Sequence, residues 1–197
     1  SAREQTIGTT MPKAPLSSTR LMFSPVFHGM RASGAMPLSA ITAKHCAARG
    51  VFTIGDERFE IEGYGLRDKS WGPRHWQAID WYRWCPMNFG RDFGMMLSVI
   101  GDGKGGARQG GMVFADGAYD LISECVIDSD WDERGYQTAL RAKVKTHGGK
   151  AYEVTGKVMS LIPLRNRRTT PDGQELQTRI TEGMTEYRCG DLVGYGL

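Results

Sequence analysis

From residue 51 onward, apolar and polar positions alternate in short runs separated by glycine-containing pairs. That period of two belongs to strands, because successive side chains of an extended chain point to opposite faces. V-F-T-I and R-F-E-I-E-G flank Gly55-Asp56, which predicts a hairpin in which Phe59 and Ile61 face a core while Arg58, Glu60 and Glu62 face water. F-G-M-M-L-S-V-I-G at 93–101 is a nearly continuous apolar run of strand length, and Asp116-Gly117 is the strongest short hairpin signal in the chain. Between 138 and 162 the alternation is strict: Leu140, Ala142 and Val144 share one face, Arg141, Lys143 and Lys145 the other, and His147 falls in the turn. Two short strands around Gly190-Asp191 complete the prediction. W-Q-A-I-D-W-Y-R-W at 76–84 fits a strand or a short helix, and its aromatic content favours the strand.

Before residue 51 the pattern breaks up. L-M-F-S-P-V-F near 21–27 and M-P-L-S-A-I near 36–41 alternate with Pro, Ser and Gly, which predicts short strands or an extended arm. One helix is predicted, over 38–48 with Gly50 as its stop. His28 and His45 have no partner at metal-ligand spacing and read as ordinary surface or core residues. Many evenly spaced strands and little helix predict an all-β fold, an antiparallel barrel or sandwich. Closure leaves no exposed edge, and a barrel of about eight strands has room for one small ligand.

Composition narrows the function classes. At 197 residues one domain is expected, and 40% apolar residues suffice for a core. A net charge of +3 implies no nucleic-acid partner, even though residues 1–50 carry six Lys/Arg against the single acid Glu4. R-N-R-R at 165–168 reads as a basic surface loop, and Asp128, Asp130, Asp132 and Glu133 as a solvated turn without calcium-loop spacing. The G-x-G-x-x-G at Gly101, Gly103 and Gly106 is followed by no helix pattern and predicts a hairpin loop, not a phosphate cradle. No apolar run reaches membrane-span length. The opening residues lack the order of a signal peptide, and the start at Ser1 suggests a piece of a longer protein. Cys46, Cys85, Cys125 and Cys189 form no C-x-x-C pair, so free thiols in a cytoplasmic protein are expected, with two disulfides as the alternative. No metal or cofactor is called for.

Candidate chemistry concentrates in E-G-Y-G-L-R-D-K-S-W-G-P-R-H-W-Q-A-I-D-W-Y-R-W, residues 62–84, which holds four of the five tryptophans and therefore predicts a cavity wall. A carboxylate among such rings loses solvation, and its pKa rises toward a range useful for acid catalysis. The same residues also suit a packed Trp with an Arg over its face and a carboxylate balancing the Arg, which stabilises without any chemistry.

E-G-Y-G-L-R-D-K-S-W-G-P-R-H-W resembles the signature G-x-G-x-R-D-H-S-W-G-x-R of lipocalin-like proteins related to the carotenoid hydratases (hydroxyneurosporene synthase type), and E-G-M-T-E-Y-R-C-G-D-L-V-G-Y-G is similar to their ending. The resemblance implies a lipocalin-like β-barrel over 43–197, with 1–42 as an N-terminal arm or the remnant of a preceding half. It also implies general-acid chemistry on an apolar unsaturated molecule, by hydration, cyclisation or isomerisation. Asp68, Lys69 and Arg67 become the catalytic candidates, with Tyr64, Trp71, Arg74, His75, Trp76, Trp81 and Trp84 around the substrate. Lys69 stands where the signature has His; buried among tryptophans it would have a lowered pKa, while exposed it would stay a charged donor. Asp80 is a second candidate carboxylate by proximity. Two alternatives stand beside the enzyme: a carrier of apolar molecules, and the barrel subunit of a larger two-barrel assembly, formed with a second copy or another barrel-containing chain.

Overall fold

The computed structural model describes the backbone of residues 40–71, 80–101 and 105–197, and their side chains except at 40–42 and 69–71. Ten strands run in chain order: β1 Ala40–Ile54, β2 Glu57–Trp71, β3 Tyr82–Asn88, β4 Phe93–Gly101, β5 Ala107–Ala115, β6 Ala118–Trp131, β7 Gln137–Thr146, β8 Ala151–Thr169, β9 Glu175–Cys189 and β10 Leu192–Gly196. Strands β3 to β10 form a closed eight-stranded antiparallel barrel, and β1 and β2 a separate two-stranded sheet. The fold is all-β, with the lipocalin-like barrel as its body. Among the described residues no helix is long and apolar enough to cross a membrane.

The turns form where local chemistry permits them. Asp116 and Gly117 both have positive φ (52° and 81°), as a two-residue I′ turn requires between β5 and β6. Gly55 carries φ 59° at the first central position of the β1–β2 turn. The strands predicted at 93–101, before Asp116-Gly117 and from 138 are present as β4, β5 and β7; β5 begins at Ala107, inside the stretch read as a hairpin loop, and Gly101 and Gly106 flank the β4–β5 connection. Leu140, Ala142 and Val144 pack inside the barrel with Leu97, Val113, Cys125, Val154 and Tyr187.

Four expectations need correction. Residues 38–48 do not form a helix: from Ala40 the chain is strand β1, paired along its whole length with β2 from Ala40↔Trp71 to Ile54↔Glu57. That pairing gives alternate residues ladder hydrogen bonds along fifteen positions, which outweighs a weak local helix preference. Phe59 and Ile61 do not face a core but are 45% and 47% exposed, because among the described residues no second layer lies against the tip of this hairpin. R-N-R-R is not a loop; Arg165, Asn166, Arg167 and Arg168 lie within β8, opposite Arg179, Thr178, Gln177 and Leu176 of β9. The closing strands are unequal: β10 has five residues but β9 fifteen.

This inequality shapes the molecule. β8 pairs with β7 only over 151–157, and β9 with β10 only over 185–189. Beyond those points the two strands are bonded to each other, as a ribbon that continues past the barrel wall. A register shift between Val158 and Ser160 marks where β8 departs, as expected of a bulge, which bends a strand. β10 meets β3 through just Tyr195↔Asn88 and Gly196↔Met87, so among the described residues no strand lies beside the first half of β3 on that edge. The barrel is closed at one end and open along this seam at the other.

The β1–β2 hairpin is clasped to the barrel by its base. Met96 and Met112 have the opposite parity from Met95, Leu97 and Val113, which places them on the outer face, yet they are 6% and 1% exposed. Ala43 covers them, with Leu66, Trp84, Tyr119 and Leu121 around the contact. His45 fastens the hairpin: its backbone N–H donates to the Tyr119 hydroxyl (3.0 Å), and Nε2 lies 2.8 Å from the Gly90 carbonyl. Nδ1 faces the Asn88 amide at 3.4 Å, which suits a neutral ring protonated at Nε2. The ring stacks on Phe114 with centroids 4.8 Å apart. His45 is thus a structural residue.

Candidate functional site: a chamber at the open seam

Where β10 stops, a cavity of about 840 Å³ opens between β3 and β9. Its walls are Asp80–Cys85 at the start of β3, Trp131, Gly135 and Gln137 at the β6–β7 corner, Val158 and Leu161 of β8, the inner part of β9, and Leu197. The volume lies within the range of small-molecule pockets. Apolar surface comes from Trp81, Trp84, Trp131, Val158, Leu161 and Ile180. The floor is the buried pair Thr185 and Tyr187; the Tyr187 hydroxyl donates to the Leu197 carbonyl at 2.7 Å, which ties the end of the chain to the inner wall.

The titratable groups of the floor are held protonated. Burial pushes the Cys85 thiol up to about 11, partly offset by nearby Arg83, and burial raises the Tyr187 phenol strongly. Cys125, deeper in the core, is likewise pushed up to about 11 by burial and then by Cys85. A thiol so shifted is a weak nucleophile at neutral pH because the thiolate is the reactive form. All four cysteines are free thiols. Among the described residues no His, Cys, Asp and Glu group is arranged to hold a metal ion.

Three charged groups line the chamber in different environments. Arg83 has the parity of Cys85 and Met87 and so points inward; its guanidinium carbon lies 4.8 Å from the Trp131 ring centroid and 5.7 Å from that of Trp81. Burial draws its pKa below the ordinary arginine value, opposed by Cys85, and an arginine keeps its charge under such a shift. Asp80 is exposed at the mouth, and Glu182 is half-buried in the β9 wall.

The tryptophan-rich stretch does not act as one cluster. Arg67 and Asp68 lie on β2, both exposed, opposite Lys44 and Ala43, and neither lines the chamber. Asp68 therefore is not the desolvated acid the sequence suggested: β2 belongs to the outer hairpin, and water reaches its carboxylate. Tyr64 stacks at 6.2 Å on His45, away from the cavity. Trp81 and Trp84 do line the chamber, Trp81 while remaining 42% exposed. The side chains of Lys69 and Trp71, and all of Arg74, His75 and Trp76, lie outside the described residues. Sequence reasoning missed Arg83, Trp131, Tyr187 and Glu182. Arg83 was the most findable, since it sits between Trp81 and Trp84 at inward parity; Trp131 and the β9 residues are far away in sequence and come near only on closure.

Fold and cavity together define an eight-stranded antiparallel barrel with a partly apolar, arginine-bearing chamber at its open end. Residues 39–197 match the family described as domain of unknown function DUF7064, and the chain belongs to that family. No curated protein and no solved structure matches the chain.

Proposed function

We propose that this barrel binds an apolar small molecule in the seam chamber, as the lipocalin-like reading of the sequence implied. The observation that carries the reading is the cavity itself: about 840 Å³, walled by the indoles of Trp81 and Trp131 and by aliphatic side chains, and left open by the shortness of β10. Burying a ligand there would gain on the order of 25 cal/mol per Å² of apolar surface removed from water. The test is titration with the neutral fluorescent probe N-phenyl-1-naphthylamine. Enhanced emission, saturable and abolished by Leu161→Trp, is the expected result. Absence of binding, or binding untouched when the chamber is filled, overturns the reading. Mass spectrometry of apolar molecules carried through purification would then identify the natural ligand.

A second reading, acid-promoted hydration, cyclisation or isomerisation of that ligand, is favoured by the carboxylates of Asp80 and Glu182 on the chamber lining. The resemblance to the carotenoid hydratases supports it, with the acid moved from Asp68 to one of these two. Incubating the co-purified molecule with the protein should give a product heavier by one water, or an isobaric one. Asp80→Asn or Glu182→Gln should then abolish conversion with probe affinity intact, whereas an unchanged ligand leaves the carrier alone standing.

The assembly reading draws on the hairpin. Its base already covers the outer face of one barrel, and its tip continues the same strands with Val51, Phe52, Ile54, Phe59 and Ile61 exposed. A second barrel of the same kind, taking the tip on its outer sheet, is the occupant this continuity favours. Light scattering should show a dimer that Phe52→Asp dissociates; a monomer at high protein concentration overturns it.

A further inference from the structure

We propose that Arg83 makes the chamber selective for apolar molecules that carry a carboxylate. The inference rests on the chamber binding an apolar molecule at all. Alternation along β3 aims Arg83 inward, and the guanidinium sits over the rings of Trp131 and Trp81 at 4.8 and 5.7 Å. One of its donors, Nη1, is used by the Tyr82 carbonyl at 3.0 Å. Among the described residues it forms no ion pair, although Asp80 and Glu182 share the chamber with it. The seven ion pairs found there all join other side chains.

A charge drawn out of water needs compensation. The neighbouring indole rings supply part of it, and apart from the Nη1 bond to Tyr82 no hydrogen bond from the guanidinium is found among the described residues, which leaves donors for a ligand. That fork matches the two oxygens of a carboxylate. With the carboxylate on Arg83, an apolar body extends along Val158, Leu161 and Ile180, which wall the same cavity. The floor adds no negative charge of its own, because the Tyr187 hydroxyl and the Cys85 thiol stay protonated.

The experiment displaces N-phenyl-1-naphthylamine from the protein with dodecanoate, 1-dodecanol and dodecylammonium at neutral pH. Dodecanoate should compete better than the alcohol by roughly tenfold or more, the scale of a charge-assisted hydrogen bond, and dodecylammonium should compete worst. Arg83→Met should erase the gap between acid and alcohol, read as the ratio of their affinities within the variant. Circular dichroism checks that this variant folds; if it does not, Arg83→Gln is read in the same way. A gap that persists without the guanidinium, or no gap in the native chain while the probe binds, overturns the proposal. Failure of the probe itself to bind instead overturns the chamber reading beneath it.

Discussion

Strands β7 and β2 carry the same alternation of apolar and charged residues and end in opposite surroundings. Leu140, Ala142 and Val144 of β7 are at most 2% exposed, whereas Phe59 and Ile61 of β2 are nearly half exposed. β7 is paired on both edges, by β6 and β8, and β2 on one, by β1, but edge pairing does not set which face is buried. What differs is the second layer. β7 curves into a closed barrel whose opposite wall supplies Leu97, Val113 and Tyr187, while the tip of the β1–β2 hairpin extends past the outer face that its base covers. A period of two specifies a strand and its two faces; it does not specify what comes to rest against either face.

The comparison breaks if the two regions respond alike to truncation. Leu140→Ala should destabilise the fold by ~2–5 kcal/mol in denaturant unfolding, because it leaves a cavity inside a closed wall. Tyr187→Phe should cost ~1–2 kcal/mol, since the Leu197 carbonyl loses its buried donor, and hydrogen exchange should rise along β10 where that bond holds the seam. Alkaline pH offers a further check on the interior. Cys85 and Cys125 ionise near an ordinary 9.0 when unfolded but at about 11 when folded, so the unfolded chain releases its protons first. Their contribution is complete below pH 9 and falls as pH climbs toward 11. Pairing Cys85→Ala with Cys125→Ala should flatten that decline, and a decline of unchanged steepness would show that the thiols are not its source.

The hairpin should answer more quietly. His45→Ala removes the contacts to Gly90, Asn88 and Phe114, and should speed amide exchange over 43–47 and 64–68 while the barrel strands keep their protection. Loss of protection throughout would mean that hairpin and barrel unfold as one unit. Phe59→Ser should change monomer stability by no more than about 0.5 kcal/mol, the usual range for an exposed position. A much larger effect would reveal that the tip is covered in solution, and its dependence on protein concentration would separate a second barrel from a local contact.

The functional stretch was legible in part for the same reason. The indoles of Trp81 and Trp84 do belong to a cavity wall, as their density suggested. Arg67 and Asp68 were grouped with them because they are close in sequence, but β2 and β3 belong to different sheets. Sequence proximity across that boundary carries no spatial meaning. Conversely, Trp131 and Arg83 are far apart along the chain and in contact in space, a pairing produced by barrel closure.

By itself the sequence determined most of the elements from residue 51 onward: alternation defined the strands, Gly55-Asp56 and Asp116-Gly117 their turns, and the count of strands an all-β barrel or sandwich. These are local matters, decided by backbone conformation and by which side chains one strand can present to one side. Tertiary structure alone decided that 40–48 would be strand, that Phe59 would meet water, that β8 and β9 would outrun β10, and that the gap so left would become a chamber with Arg83 turned into it. Those outcomes depend on pairing partners and relative strand lengths distributed over the whole chain, and no short window of residues contains them.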